Sequence, residues 1–236
     1  RFINFIMESG LKLNELGITF STLMGHYSPN ISDINLVVYG KDKFWKLMKF
    51  LEKANNKELR WKTYEEWEDF YKKRNRHLTQ NKEIYIKNMD RRKSEGFFSG
   101  NLFVIFAVET EDDVWQKWGS ETYKKLGPAK IKASVLDNKD SVVRPGCYEI
   151  VDSKFLDGDK SLKDLYIKKI VFYSRDYCML AFPGEKVEAS GVIEEVTLKD
   201  NPKEKYHRLV IGYFDFYLDG KKDGDYLKII ENNSAN

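Results

Sequence analysis

Two hydrophobic periods divide this chain, and they change over at Gly127-Pro128. Before that point the apolar residues recur at helical spacing. Phe44, Leu47, Met48 and Leu51 stand at i, i+3, i+4 and i+7, which predicts an amphipathic helix over 41–54 with lysines on its other face. Thr63 and Glu66 form a T-x-x-E capping box that opens a helix carrying Tyr64, Trp67, Phe70 and Tyr71 on one side. Residues 11–16 read as a short helix closed by Gly17, and residues 111–118 as another. The apolar runs 34–39 and 102–108 read as strands of one sheet, the second preceded by a Gly-rich break at 95–101.

After Gly127-Pro128 the pattern alternates. AKIKASVL, CYEIV, YIKKIVFY, KVEASGVIEEVTL and HRLVIGYFDFYL are β-like, and turn signals such as Pro183-Gly184 and Asp200-Asn201-Pro202 separate them. Five strands within about 90 residues fit a small all-β, OB-like barrel. Gly191 and Gly212 fall inside these strands, where barrels bend or bulge. The expected organisation is an α/β (α+β) domain over 1–126, a barrel over 127–230 and a frayed tail over 231–236.

The 236 residues are 42% hydrophobic and 33% charged, with a mean hydropathy of −0.58. No stretch approaches the ~20 apolar residues that span a bilayer, and the start shows no basic-apolar-small leader. Two cysteines, Cys147 and Cys178, are too few for a disulfide framework or a zinc cluster. The expected setting is cytoplasmic and reducing, without a membrane partner; one Cys147–Cys178 bridge is the alternative.

Formal net charge is only +3, but its distribution is uneven. Residues 41–93 hold 17 Lys and Arg against 9 Asp and Glu, an excess of eight. Arg74, Arg76, Arg91, Arg92 and Lys93 are therefore candidates for phosphate contact with a triphosphate or a nucleic acid. Ordinary solvated charge is the competing reading.

The segment with chemical content is GITFSTLMGHYSPNISDINLVVYG, residues 17–40. A turn bearing Thr19 and Ser21, a short helix to Gly25 and a loop lead into Asp33-Ile34-Asn35 at the mouth of a strand. Backbone N–H groups and the Ser21 hydroxyl could hold phosphate oxygens. Positions 33 and 35 share one face of the strand, because side chains alternate with period two. Carboxylates there would grip Mg²⁺ for in-line phosphoryl chemistry.

This pattern resembles the archaeal predicted nucleotidyltransferases of the polymerase-beta-like superfamily. The matching residues are Gly17, Thr19, Ser21, Leu23 and Gly25, then Ser32 to Ile34 and Leu36 to Gly40. Arg91-Arg92-Lys93, Gly96, Phe98 and Gly100 resemble a downstream stretch of the same family, and GEKVEASGVIEEV and RLVIG resemble its C-terminal half. The resemblance implies nucleotide binding at Thr19, Ser21 and Gly25, a metal and catalytic position at Asp33 and Asn35, Mg²⁺ as cofactor, and nucleotidyl transfer from an NTP.

Three departures accompany it. Phe20 stands where the family has a glycine, and a phenylalanine is expected to avoid the positive φ that glycine allows. Asn35 stands where the family has a second aspartate. The strand 102–108 holds no acid, leaving Glu109 as the nearest candidate for a third carboxylate. The expectation is a nucleotidyltransferase-fold protein with a weakened or lost active site. The alternatives are a non-catalytic module that binds nucleic acid or a ribonucleoprotein, and a protein-interaction module in a larger information-processing assembly.

Other residues are weighed more lightly. Trp45, Trp61, Trp115 and Trp118 could stack bases but read first as packing. His26 lies between Ser21 and Asp33, near a bound nucleotide if one is held there; His77 and His207 have no partners at ligand spacing. Tyr173, Tyr177, Tyr213, Phe214, Phe216 and Tyr217 are aromatics of the β-rich half that could meet a single strand.

Overall fold

The computed structural model describes residues 1–28, 32–74, 82–212 and 225–230. It is an α+β chain with two mixed sheets, and the chain divides into two units between Val114 and Trp115.

In the first unit, α1 (Phe2–Met7) buries Phe2, Phe5 and Ile6. The strands are β1 (Leu16–Ile18), β2 (Ile34–Tyr39), β3 (Leu59–Arg60), β4 (Glu95–Phe98) and β5 (Asn101–Val108), in the spatial order β1-β2-β5-β4-β3. The two apolar runs seen in the sequence, β2 and β5, lie side by side and parallel, with Ile34 level with Phe103 and Tyr39 level with Val108. A parallel pair needs a long crossover, supplied by α3 (Lys41–Lys53), β3, α4 (Tyr64–Arg74), α5 (Lys82–Arg91) and β4. Phe44, Leu47, Met48 and Leu51 are the buried stripe of α3, as their spacing requires. The capping box also forms: the Thr63 N–H donates to Glu66 Oε2 at 2.8 Å, and the Glu66 N–H donates to Thr63 Oγ1 at 3.3 Å.

Three local expectations are corrected. Gly17 is not a helix cap. It lies in β1 opposite Val37, and a Cβ there would sit 2.6 Å from the Tyr39 hydroxyl. Residues 95–98 are a strand, joined to β5 by a tight turn whose Ser99 and Gly100 both have positive φ. Residues 111–118 form turns instead of a helix, because the Asp113 carboxylate is held by the backbone N–H groups of Lys41 and Thr110.

In the second unit, β6 (Glu121–Asp137), β7 (Gly146–Gly158), β8 (Ile167–Phe172), β9 (Lys186–Leu198) and β10 (Lys205–Ile211) pair in a ring, β6-β7-β8-β10-β9 and back to β6. The β8–β10 pair is parallel and the other four are antiparallel. Gly127-Pro128 lies inside β6, at a register shift between Lys125 and Gly127. A strand tolerates proline at such an irregularity, so the punctuation in the sequence marks a bulge, and the unit boundary falls earlier. A further strand, β11 (Tyr226–Ile230), pairs with residues 186–190 of β9. Residues 231–236 lie outside the described residues.

The ring encloses Ile131, Val135, Ile150, Ile170, Phe172, Ile193 and Leu209 among others. Tyr148 is fully buried there. Its hydroxyl donates to the Tyr177 carbonyl at 2.6 Å and accepts from the N–H groups of Leu180 and Ala181 at 2.7 and 3.3 Å. Tyr148→Phe strands these buried groups and is expected to destabilise the chain by about 2 kcal/mol in urea unfolding. A loss under about 0.5 kcal/mol would mean that the network does not matter. Cys147 and Cys178 are both buried and not joined in a disulfide, and burial pushes the Cys147 thiol up to about 12.

Candidate functional site

The segment singled out in the sequence is built on β1, β2 and the short helix α2 (Phe20–Leu23) between them. The Thr19 N–H donates to the Asn35 carbonyl at 3.1 Å, tying the turn to the strand that carries Asn35. Phe20 takes a φ of +56°, contrary to the sequence-based expectation for a phenylalanine. Its ring is 57% exposed and lies 5.8 Å from the Phe106 ring. A left-handed non-glycine residue costs of order 1 kcal/mol and persists only where its surroundings impose it. The turn therefore has the backbone shape of a glycine turn without the glycine. Ser21 sits half-buried in the first turn of α2. Gly25 follows α2 at φ +70°, and among the described residues nothing lies within 4 Å of where its Cβ would be. His26 is exposed, and its N–H donates to the Ser21 carbonyl at 3.0 Å.

Asp33 immediately precedes β2 and is partly exposed, while Asn35 is 5% exposed. Their side chains meet: Asn35 Nδ2 donates to Asp33 Oδ1 at 2.9 Å. Only the NH₂ side of an amide can face a carboxylate. A hydrogen-bond donor therefore points at the oxygen that a metal would need.

Glu109 is not the third acid. The strands are parallel, so the end of β5 lies by Tyr39, at the far end of the sheet from Asp33. Seven residues of strand separate the levels of Asp33 and Glu109, roughly 23 Å along the sheet. There Glu109 Oε1 accepts from Lys41 Nζ at 2.9 Å, with the lysine side chain only 2% exposed. Glu109 and Asp113 thus clasp the start of α3. The position level with Asn35 on β5 is Val104, which is 4% exposed.

One strand further, level with Val104, comes Glu95. Sequence reasoning missed this acid because the Gly-Phe-Phe-Ser-Gly context reads as a loop. Paired strand residues share a face, so Glu95 belongs to the row of Asn35 at two strand spacings, roughly 10 Å. Its carboxylate is paired with Lys62, and both side chains are 8% exposed. Among the described residues, no three His, Cys, Asp or Glu side chains gather in a way that could hold a metal. The residues at Asp33 do not fit a two-Mg²⁺ centre: one carboxylate, one amide donor and one valine occupy the three positions.

The basic candidates are dispersed. Arg92 is 7% exposed, and Arg91 is half-buried. Lys93 pairs with Asp90 at 3.2 Å and lies 5.1 Å from the centre of the Trp61 ring. Arg74 ends α4; its side chain, and all of Arg76 and His77, lie outside the described residues. Other cations of the basic stretch are also engaged: Arg60 with Glu66, and both Lys72 and Lys82 with Glu68. These pairs join cations and acids of the same stretch, so they tie down individual side chains and leave its net excess unchanged.

Trp61 packs over Gly96 and Phe103, and Trp115 packs on the buried group of Cys147, Val171 and Val210. Trp118, by contrast, is fully exposed. Tyr177 belongs to the interior of the ring, Tyr173 lies on its outer side against Cys147, Val171 and Val210, and residues 213–217 lie outside the described residues.

An uncharacterized protein of Methanocaldococcus jannaschii is 30% identical to this chain over 214 residues, which is 90% of this chain and 59% of that protein. The chain spans about three fifths of that relative's length. No family model matches the chain, and no solved structure does. Among the described residues, no helix is long and apolar enough to cross a membrane.

Proposed function

We propose that this chain is a nucleotidyltransferase-like protein that has lost Mg²⁺-dependent transfer and serves as a binding module for nucleotide or nucleic acid, alone or within a ribonucleoprotein. The observation that carries the reading is the 2.9 Å hydrogen bond from the Asn35 amide to Asp33. In-line phosphoryl transfer rests on carboxylates that grip the metal ions, and here a donor occupies one of those positions. Val104 stands at the level of Asn35, Glu109 is engaged by Lys41 and Glu95 by Lys62, so neither of these acids is at hand for a metal. Retention of function short of catalysis is supported by the strained Phe20 turn, which holds the glycine-turn geometry at an energetic cost. The closed ring of five strands, β6 to β10, supports reading the second unit as an OB-like barrel. On this reading it is the second element of a binding protein.

The test is transfer of label from each α-labelled NTP to protein, DNA and RNA acceptors. The expected result is no incorporation above that of Asp33→Ala, together with nucleotide or single-strand binding that weakens as salt rises. Robust labelling that Asp33→Ala abolishes would overturn the proposal and make the chain an enzyme. Asp33, partly exposed at the mouth of β2, is the feature that favours that second reading.

A further inference from the structure

We infer that the outer face of the second unit carries a nucleotide pocket of its own, one that takes a base against aromatic walls and a phosphate at its mouth. Along β10, Leu209 and Ile211 face the interior of the ring, so Arg208 points outward. It is nonetheless only 3% exposed. Its Nε and Nη2 both donate to Glu194 Oε2 at 2.9 Å, from the neighbouring position on β9. Its guanidinium lies 4.0 Å from the centre of the Tyr123 ring. Among the described residues, buried Nη1 has no hydrogen-bond partner. A buried donor without an acceptor costs free energy, and Arg208 lines an open cavity of about 740 Å³, a size common for small-molecule sites.

The surroundings narrow what the missing acceptor is. Glu194 already balances the Arg208 charge, so an uncharged acceptor such as a ring carbonyl suits Nη1 better than a second anion. The other acid of the cavity, Glu121, is engaged too: it accepts from the hydroxyls of Tyr123 at 2.8 Å and Tyr206 at 3.0 Å. Burial in the first place, and Glu121 with it, raise the Tyr206 hydroxyl above its ordinary value, so it stays a donor. The walls are flat and aromatic: Tyr123, Tyr173 and the fully exposed Trp118. Exposed Lys117 and Lys199 also line the cavity and supply positive charge toward solvent. A planar ring bearing a carbonyl, with a phosphate attached, answers all three features at once. That ligand is a nucleotide, free or as one unit of a single strand.

Equilibrium dialysis of the full chain against UMP, GMP, oligo(U), oligo(dT) and inorganic phosphate tests this. Nucleotide or oligonucleotide is expected to bind, with phosphate alone failing to compete. Trp118→Ala and Lys199→Ala alter exposed side chains, so the fold is not at risk. Loss of the stacking surface is expected to weaken binding roughly tenfold, and loss of the lysine is expected to flatten the salt dependence. Tighter binding of oligo(U) or oligo(dT) than of UMP identifies a single strand as the occupant; equal affinity identifies the free nucleotide. Loss of binding in Trp118→Ala assigns the occupant to this pocket and not to the first unit. The inference falls if none of these probes binds or if Trp118→Ala has no effect.

Discussion

The Asn35→Asp chain is expected to be less stable than its parent in EDTA, and to recover stability when Mg²⁺ is added. In the parent, the Asn35 amide donates to Asp33 in a position that is 5% exposed. Aspartate at 35 replaces that hydrogen bond with two like charges at the same separation, one of them almost out of water. Loss of the bond and the new repulsion together should cost about 2–4 kcal/mol. A divalent cation that binds only the folded pair returns stability by mass action. Thermal melting of parent and variant, each with EDTA and with millimolar Mg²⁺, reads both effects. The parent should be indifferent to Mg²⁺, because a single carboxylate facing an amide donor is a poor ligand set. If the variant melts with the parent in EDTA, the 33–35 contact is not what its geometry implies. If the parent itself gains several degrees with Mg²⁺, the loss of metal-dependent chemistry proposed here is wrong. Turnover need not return in the variant, since Val104 stands where a further acid would help and Phe20 still fills the turn.

Gly191→Ala should damage the second unit severely. Residues 186–190 of β9 pair with β11, and residues 192–197 pair with β10, so the strand changes neighbours at Gly191. A Cβ there would lie 2.2 Å from the Val210 carbonyl oxygen and 3.0 Å from its carbon. Those are backbone atoms of β10, which cannot swing aside as a side-chain tip would. Accommodation means separating β9 from β10, the pair through which the ring closes. The expected loss is about 3 kcal/mol or more in urea unfolding. Gly212→Ala makes the contrast. Among the described residues nothing lies within 4 Å of a Cβ there, and its φ is +69°, so backbone strain of about 1 kcal/mol is the expected cost. Equal losses at the two sites would show that the close approach at Gly191 is not limiting.

Much of the architecture is written in local pattern. The stripe Phe44-Leu47-Met48-Leu51, the Thr63–Glu66 box and the apolar runs 34–39 and 102–108 are periodic signals, and each forms the expected element because burial of that face is its main stabilisation. The described residues of the five alternating segments likewise form strands, the fifth as β10 up to Ile211. Elements without periodicity were not legible: β4 hides among glycines and aromatics, and the residues of 111–118 are held as turns by the Asp113 carboxylate. Gly127-Pro128 looks like a linker in sequence, yet it is a register shift within β6 held by pairing to β9.

For the candidate site, the residue types at 33, 35 and 20 are legible in the chain itself, and with them that an aspartate is followed two positions on by an amide and not by a second carboxylate. Which groups meet was decided by tertiary structure alone. Strand direction puts Glu109 beside Lys41, at the opposite end of the sheet from Asp33, and register puts Val104 and Glu95 in the row of Asn35. Neither direction nor register can be read from a strand's own residues, because both depend on the partner strand. The same holds for Arg208, an ordinary arginine in an alternating segment. It becomes a buried donor with one N–H unanswered only once β9 sets Glu194 beside it and β6 lays Tyr123 against its plane.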